Sequence, residues 1–157
     1  MDVIMPMAPI FYVLAPDYIR LLLHPVISYL DSGAWPHNYT IHDIGAHYPN
    51  STGHDDGEAQ GMPVEESGNL LALMYMYELA SGDTAYKEKY LDTLKIYADY
   101  LVEKGLYPEE QFSTDDGAGV AANQTGLAVK SAIALNAYGK MTNQPSYSKI
   151  GLGFAEE

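Results

Sequence analysis

Apolar residues fall along this chain in two contrasting patterns. Tyr18, Leu21, Leu22, Val26, Tyr29 and Leu30 make an approximate stripe, which predicts a helix opened by Pro16 and stopped by Gly33, with a kink at Pro25. Residues 84–104 are one-sided in the same way: Tyr86, Tyr90, Leu94, Tyr97 and Leu101 recur every three or four positions and charges fill the rest of the wheel, the mark of an outer helix. Between them, Pro63, Glu65 and Glu66 open a helix whose residues 70–77, LLALMYMY, have no polar face. A helix apolar all round is buried on all sides. It ends at Gly82, and Asp83 caps its successor. Residues 121–141, rich in alanine and with one charge before Lys140, predict a second buried helix, and Pro145 starts a last one. Residues 1–15 are apolar, and Pro6 and Pro9 limit regular helix there to a short piece after Pro9.

The order is outer helix, long loop, inner helix, short turn, outer helix, long loop, inner helix, short turn, outer helix. Alternating inner and outer antiparallel helices predict an all-α toroid of helical hairpins, of which two to three are present here in a single partial domain spanning residues 1–157. Both long loops, 34–62 and 106–120, run from an outer helix to the start of an inner one, so they emerge at one rim, where helix N-termini favour anionic groups.

Most of the reactive side chains sit in those loops. His42, Asp43, His47, His54, Asp55, Asp56, Glu58, Glu65 and Glu66 lie close together, punctuated by glycine and proline without helical or strand period. Opposed carboxylates, one kept protonated by its surroundings, carry out general acid and base hydrolysis. That makes Asp43, Glu65, Glu66, Asp115 and Asp116 the catalytic candidates, with Ser67 and Thr114 as possible nucleophiles. Most have a plainer reading: Glu65 and Glu66 suit a helix dipole, Asp115 and Asp116 suit a turn before Gly117, and Asn69 and Asn123 suit capping or interhelical bonding, whereas Asp43, between Ile41 and Ile44, is the acid least expected without a purpose. The histidines and acids lack an i, i+4 histidine pair and the alternation of an EF-hand loop, so no metal site and no cofactor are expected.

With 21 acidic against 8 basic residues the net charge is −13, which disfavours duplex nucleic acid and anionic membrane as partners. The chain has no cysteine, so disulfides, thiolate metal sites and a cysteine nucleophile are excluded within it. No apolar run is long enough to span a bilayer, and the N-terminus lacks the basic region and cleavage site of a signal peptide. Asn38, Asn50 and Asn123 lie in N-x-S/T triplets, which suit a secreted glycoprotein.

Residues 42–69, HDIGAHYPNSTGHDDGEAQGMPVEESGN, and residues 111–126, QFSTDDGAGVAANQTG, together resemble the signature of the glutaminase A family of fungi and some bacteria. The resemblance extends from about Phe11 to Met141. It implies a six-hairpin, (α/α)6 domain, here a C-terminal fragment lacking the other hairpins, from a secreted enzyme that hydrolyses the carboxamide of L-glutamine to glutamate and ammonia. His42, His47, Tyr48, His54, Asp55, Asn69 and Asn123 would then bind the small-molecule substrate. Relatives commonly have cysteine at the position of Ser67, so an obligatory thiol there is not implied. Two alternatives stand beside this one. A pair among Asp43, Glu66 and Asp116 would serve a glycoside hydrolase, and half a toroid, exposing the apolar sides of LLALMYMY and of residues 127–135, would be inactive alone.

Overall fold

The computed structural model describes residues 1–45 and 49–157. Helices α1 (Ile4–Leu14), α2 (Asp17–Asp31), α3 (Pro63–Ser81), α4 (Ala85–Glu88), α5 (Leu91–Lys104), α6 (Thr125–Met141) and α7 (Pro145–Glu156) follow in order. Among the described residues there is no strand, only one isolated bridge between Gln111 and Ala121. The all-helical class follows from the apolar periodicity, and the two inner helices α3 and α6 pack on each other.

α3 is the centre of the molecule. Met62 turns the chain with φ 52°, Pro63 takes the first helical position, and every residue from Pro63 to Met74 is buried. α1, α2, α5 and α6 all pack against it. The apolar segment Leu70–Met74 is therefore covered within this chain, contrary to the expectation that LLALMYMY would be left open; four neighbouring helices enclose it. Open apolar surface includes Ile10, Val13 and Leu14 on α1 and Val129, Ile133 and Leu152 on α6 and α7. α6 is thus buried on one face only.

Other helices differ from the sequence expectation in instructive ways. α1 begins before Pro6 and continues through Pro9. Pro6 falls in the first turn, where its missing N–H has no intrahelical acceptor to lose, and packing of Ala8 and Phe11 holds the rest. Pro25 lies inside α2 without ending it. The buried face of α2 is Ile19, Leu23, Val26, Ile27 and Leu30, whereas Tyr18 and Leu21 are more than half exposed. Tyr18 stacks on Phe11 of α1 at 5.5 Å instead. The outer helix expected over 84–104 is divided at Lys89 and Tyr90, yet its stripe Tyr86, Tyr90, Leu94, Tyr97 and Leu101 is buried throughout. Asp83 accepts the N–H groups of Ala85 at 2.9 Å and Tyr86 at 3.3 Å, as a capping residue should.

α6 and α7 meet so closely that glycine is required between them. A Cβ on Gly151 would lie 2.5 Å from the Ala132 carbonyl oxygen, a backbone atom that cannot rotate aside. Gly151→Ala is therefore expected to cost about 1–3 kcal/mol as α7 is pushed off α6. A urea unfolding midpoint equal to that of wild type would contradict this packing.

Candidate functional site

The two long loops are joined at the N-terminal end of α3. The Phe112 N–H donates to Ala59 O at 2.9 Å, and the Val64 N–H, one of the free donors of the first helical turn, donates to Gln111 Oε1 at 2.9 Å. The shared rim inferred from the helix order is thus present.

Loop 34–62 is held by a ring of polar and aromatic contacts. Trp35 Nε1 donates to Tyr39 O at 2.6 Å, His37 stacks on Tyr39 at 4.9 Å, and His37 Nε2 pairs with Asp55 at 2.8 Å. Asp43 gathers the middle of the loop: its carboxylate lies 3.1 Å from His42 Nδ1 and 3.0 Å from His54 Nδ1, and accepts the Gly45 N–H at 2.9 Å. Burial alone would raise the Asp43 pKa, but the bonds from His54 and Gly45 outweigh it and hold the carboxyl below its usual range. In return, hydrogen bonding and charge from Asp43 raise the exposed His54 above its ordinary 6.5. The His54 contribution is complete below 6.5 and is lost as pH rises through the raised value; the Asp43 contribution is complete above 3.8 and is lost as pH falls through the lowered value. The loop should accordingly resist limited proteolysis best between about pH 4 and 6.5. His54→Ala should flatten the alkaline side of that profile, and an unchanged profile would refute the clasp.

Glu65 and Glu66 are both buried and diverge from adjacent positions of α3, as residues about 100° apart on a helix must. Glu66 accepts the Asp2 N–H at 3.1 Å and an Asn69 Nδ2 proton at 3.3 Å. Burial pushes the Glu66 carboxyl up, against the hydrogen bond from Asn69. Glu65 faces the second loop. Thr114 Oγ1 donates to Glu65 Oε1 at 2.8 Å, the Thr114 N–H lies 3.4 Å from Oε2, and Lys130 of α6 forms an ion pair with Oε1. Lys130 Nζ also donates to Asn69 Oδ1 at 2.9 Å. Burial pushes the Lys130 ammonium down, to about 8, against a smaller opposing pull from the charge of Asp2.

Asp115 and Asp116 separate into different hollows. The first, of about 380 Å³, is lined by Glu65, Ser113, Thr114, Asp115, Gln124, Gly126, Leu127 and Lys130. The second, of about 320 Å³, is lined by Asp2, His42, Gln60, Met62, Phe112 and Asp116. A larger apolar groove of about 430 Å³ between α6 and α7 has Lys149 as its one charged wall residue and no arrangement for chemistry.

The structure therefore joins Glu65, Asn69, Thr114 and Lys130, with Asp115 at the same hollow. It holds Asp43, His54 and Asp55 in hydrogen bonds within the first loop, places His42 beside Asp43 and in the wall of the second hollow, and places Asn123 at a turn with φ 54° where its N–H bonds Pro108 O. Ser67 is fully buried with Oγ accepting the Thr40 N–H at 3.0 Å, which gives it a structural role. His47 and Tyr48 lie outside the described residues. Asp2, His42 and Glu66 are the described trio with donor atoms within 4.8 Å of one another, as a bound metal would need. Lys130 escaped the sequence reading, though a lone charge in an otherwise apolar inner helix was its signal.

A helical-hairpin domain with a polar network where two loops meet is the class that fold and site define. The sequence model of the Glutaminase A six helical-hairpin domain matches residues 1–157, and the chain belongs to that family. It is 42% identical over 142 residues to Glutaminase A of Aspergillus oryzae, covering 90% of this chain and 21% of that protein. A probable glutaminase of Arthroderma benhamiae is 32% identical over 197 aligned positions, covering 90% of this chain and 23% of that protein. The chain thus spans about a fifth of the length of these curated relatives. No solved structure matches it.

Proposed function

We propose that this domain is part of a longer glutaminase A-like hydrolase that cleaves the side-chain amide of L-glutamine to glutamate and ammonia. The relatives' names support the substrate, and the observation that carries the chemistry is the Thr114 hydroxyl donating to the buried Glu65 carboxylate at the edge of a hollow. A hydroxyl so bonded has its proton directed at a base and a lone pair free for attack. Thr114 Oγ1 forms a bond to the amide carbon as its proton passes to Glu65; the C–N bond then breaks as the nitrogen takes up one proton and departs as ammonia, and water hydrolyses the Thr114 ester, its proton returning to Thr114 Oγ1 as glutamate leaves. The first turn of α6 carries no acid and reaches the same hollow through Gly126 and Leu127, so its positive end favours the developing oxyanion. Asn38, Asn50 and Asn123 are all exposed, which supports a secreted and glycosylated protein.

The test is ammonia release from L-glutamine by the full-length protein and by this chain alone, with a panel of glycosides in parallel. Ammonia from the full-length protein and none from the isolated chain, whose α1 and α6 present open apolar faces, is the expected result. Glycoside cleavage without ammonia would replace this reading by a carboxylate-pair glycosidase.

A further inference from the structure

We propose that Lys130 is a catalytic residue of this site, the acid that protonates the departing amide nitrogen; the proposal rests on the glutaminase reading. Its position is built by the fold. The Lys130 stem crosses α3 directly over Gly68, where a Cβ would lie 2.8 Å from Lys130 Cγ. An ammonium has three protons to donate. One is directed at Glu65 Oε1 and one at Asn69 Oδ1, and the third is left for the hollow that Lys130 lines.

The shared oxygen makes the arrangement more than an ion pair. Glu65 Oε1 accepts both from Thr114 Oγ1 and from Lys130 Nζ, so the group that takes the nucleophile's proton touches the group that must supply one to the leaving nitrogen. An amide nitrogen leaves only when protonated. As the C–N bond breaks, its electron pair takes a proton from Lys130 Nζ and ammonia departs; the neutral amine then recovers the proton that Thr114 gave to Glu65 Oε1. Carboxylate and ammonium are restored and no external acid is consumed. A partly buried ammonium gives up its proton more readily than a fully exposed one, which suits this step.

A plain counter-ion for Glu65 would occupy the same place, and the dependence on the leaving group separates the two roles. The full-length protein and its Lys130→Met and Lys130→Arg variants are assayed on L-glutamine and on the γ-p-nitrophenyl ester of L-glutamate, whose leaving group departs without a proton. Both variants should lose about 10²- to 10⁴-fold on glutamine and keep most of their ester hydrolysis. Lys130→Arg keeps the charge and the ion pair and so guards against misfolding, yet its guanidinium does not release a proton. Equal losses on the two substrates, or a fully active Lys130→Arg, would overturn the acid role and leave the glutaminase reading intact. A wild-type protein that cleaves the ester but releases no ammonia from glutamine would overturn the reading and this assignment together.

Discussion

Glu65→Gln in the full-length protein is expected to lower glutamine hydrolysis by about 10³-fold, the scale of a lost general base. The substitution is nearly isosteric. Its amide oxygen can still accept from Thr114 Oγ1 and Lys130 Nζ, the two bonds that fix this corner of α3, so the loop 106–120 should stay docked. What disappears is a group that can hold the Thr114 proton. The stability loss should be modest, about 1–3 kcal/mol, because Lys130 exchanges a charged acceptor for a neutral one in a partly buried setting. Circular dichroism and a urea melt establish folding, and steady-state ammonia release gives the rate. A folded Glu65→Gln protein with wild-type turnover would remove Glu65 from the chemistry.

The second large effect is at Thr114. Thr114→Val preserves the shape of the side chain and deletes only the hydroxyl that donates to Glu65 at 2.8 Å, so its loss should approach that of Glu65→Gln. Thr114→Ser returns a hydroxyl at the same position and should recover most of the activity. Because nucleophile and base act as one unit, the double substitution Glu65→Gln, Thr114→Val should cost little more than either alone. Additive losses in kcat/KM would mean that the two side chains act at separate steps.

The inner helix was plain in the sequence because LLALMYMY leaves no side for water, and the structure covers Leu70–Met74 with four other helices. The shared rim also followed from the helix order alone, since two loops that each connect an outer helix to an inner one must emerge together. Exact faces were less legible. Tyr18 and Leu21 fit a stripe, but Ile19 and Leu23 fit one equally well, and only the position of α3 decides which is covered. The proline rule misjudged α1, because Pro6 costs nothing in a first turn.

Among the acids, spacing could not show which carboxylate meets which loop. Asp43 lies between two histidines in the folded loop as well as in composition, while Glu65, which reads from sequence as a helix-dipole acid, is the one that reaches Thr114 and Lys130. Adjacent residues Asp115 and Asp116 face different hollows, a distinction set by one turn of backbone and invisible in the string STDDG. Lys130 lies 65 positions from Glu65 along the chain, and their meeting depends on the packing of α3 on α6.

The most direct measurement of the central claim is acyl transfer to hydroxylamine during glutamine turnover by the full-length protein. An ester on Thr114 partitions between water and this better nucleophile, so the account predicts γ-glutamyl hydroxamate formed at the expense of glutamate, with both products lost together in Thr114→Val. Ammonia released at an undiminished rate by Thr114→Val, with no hydroxamate from either protein, would contradict it.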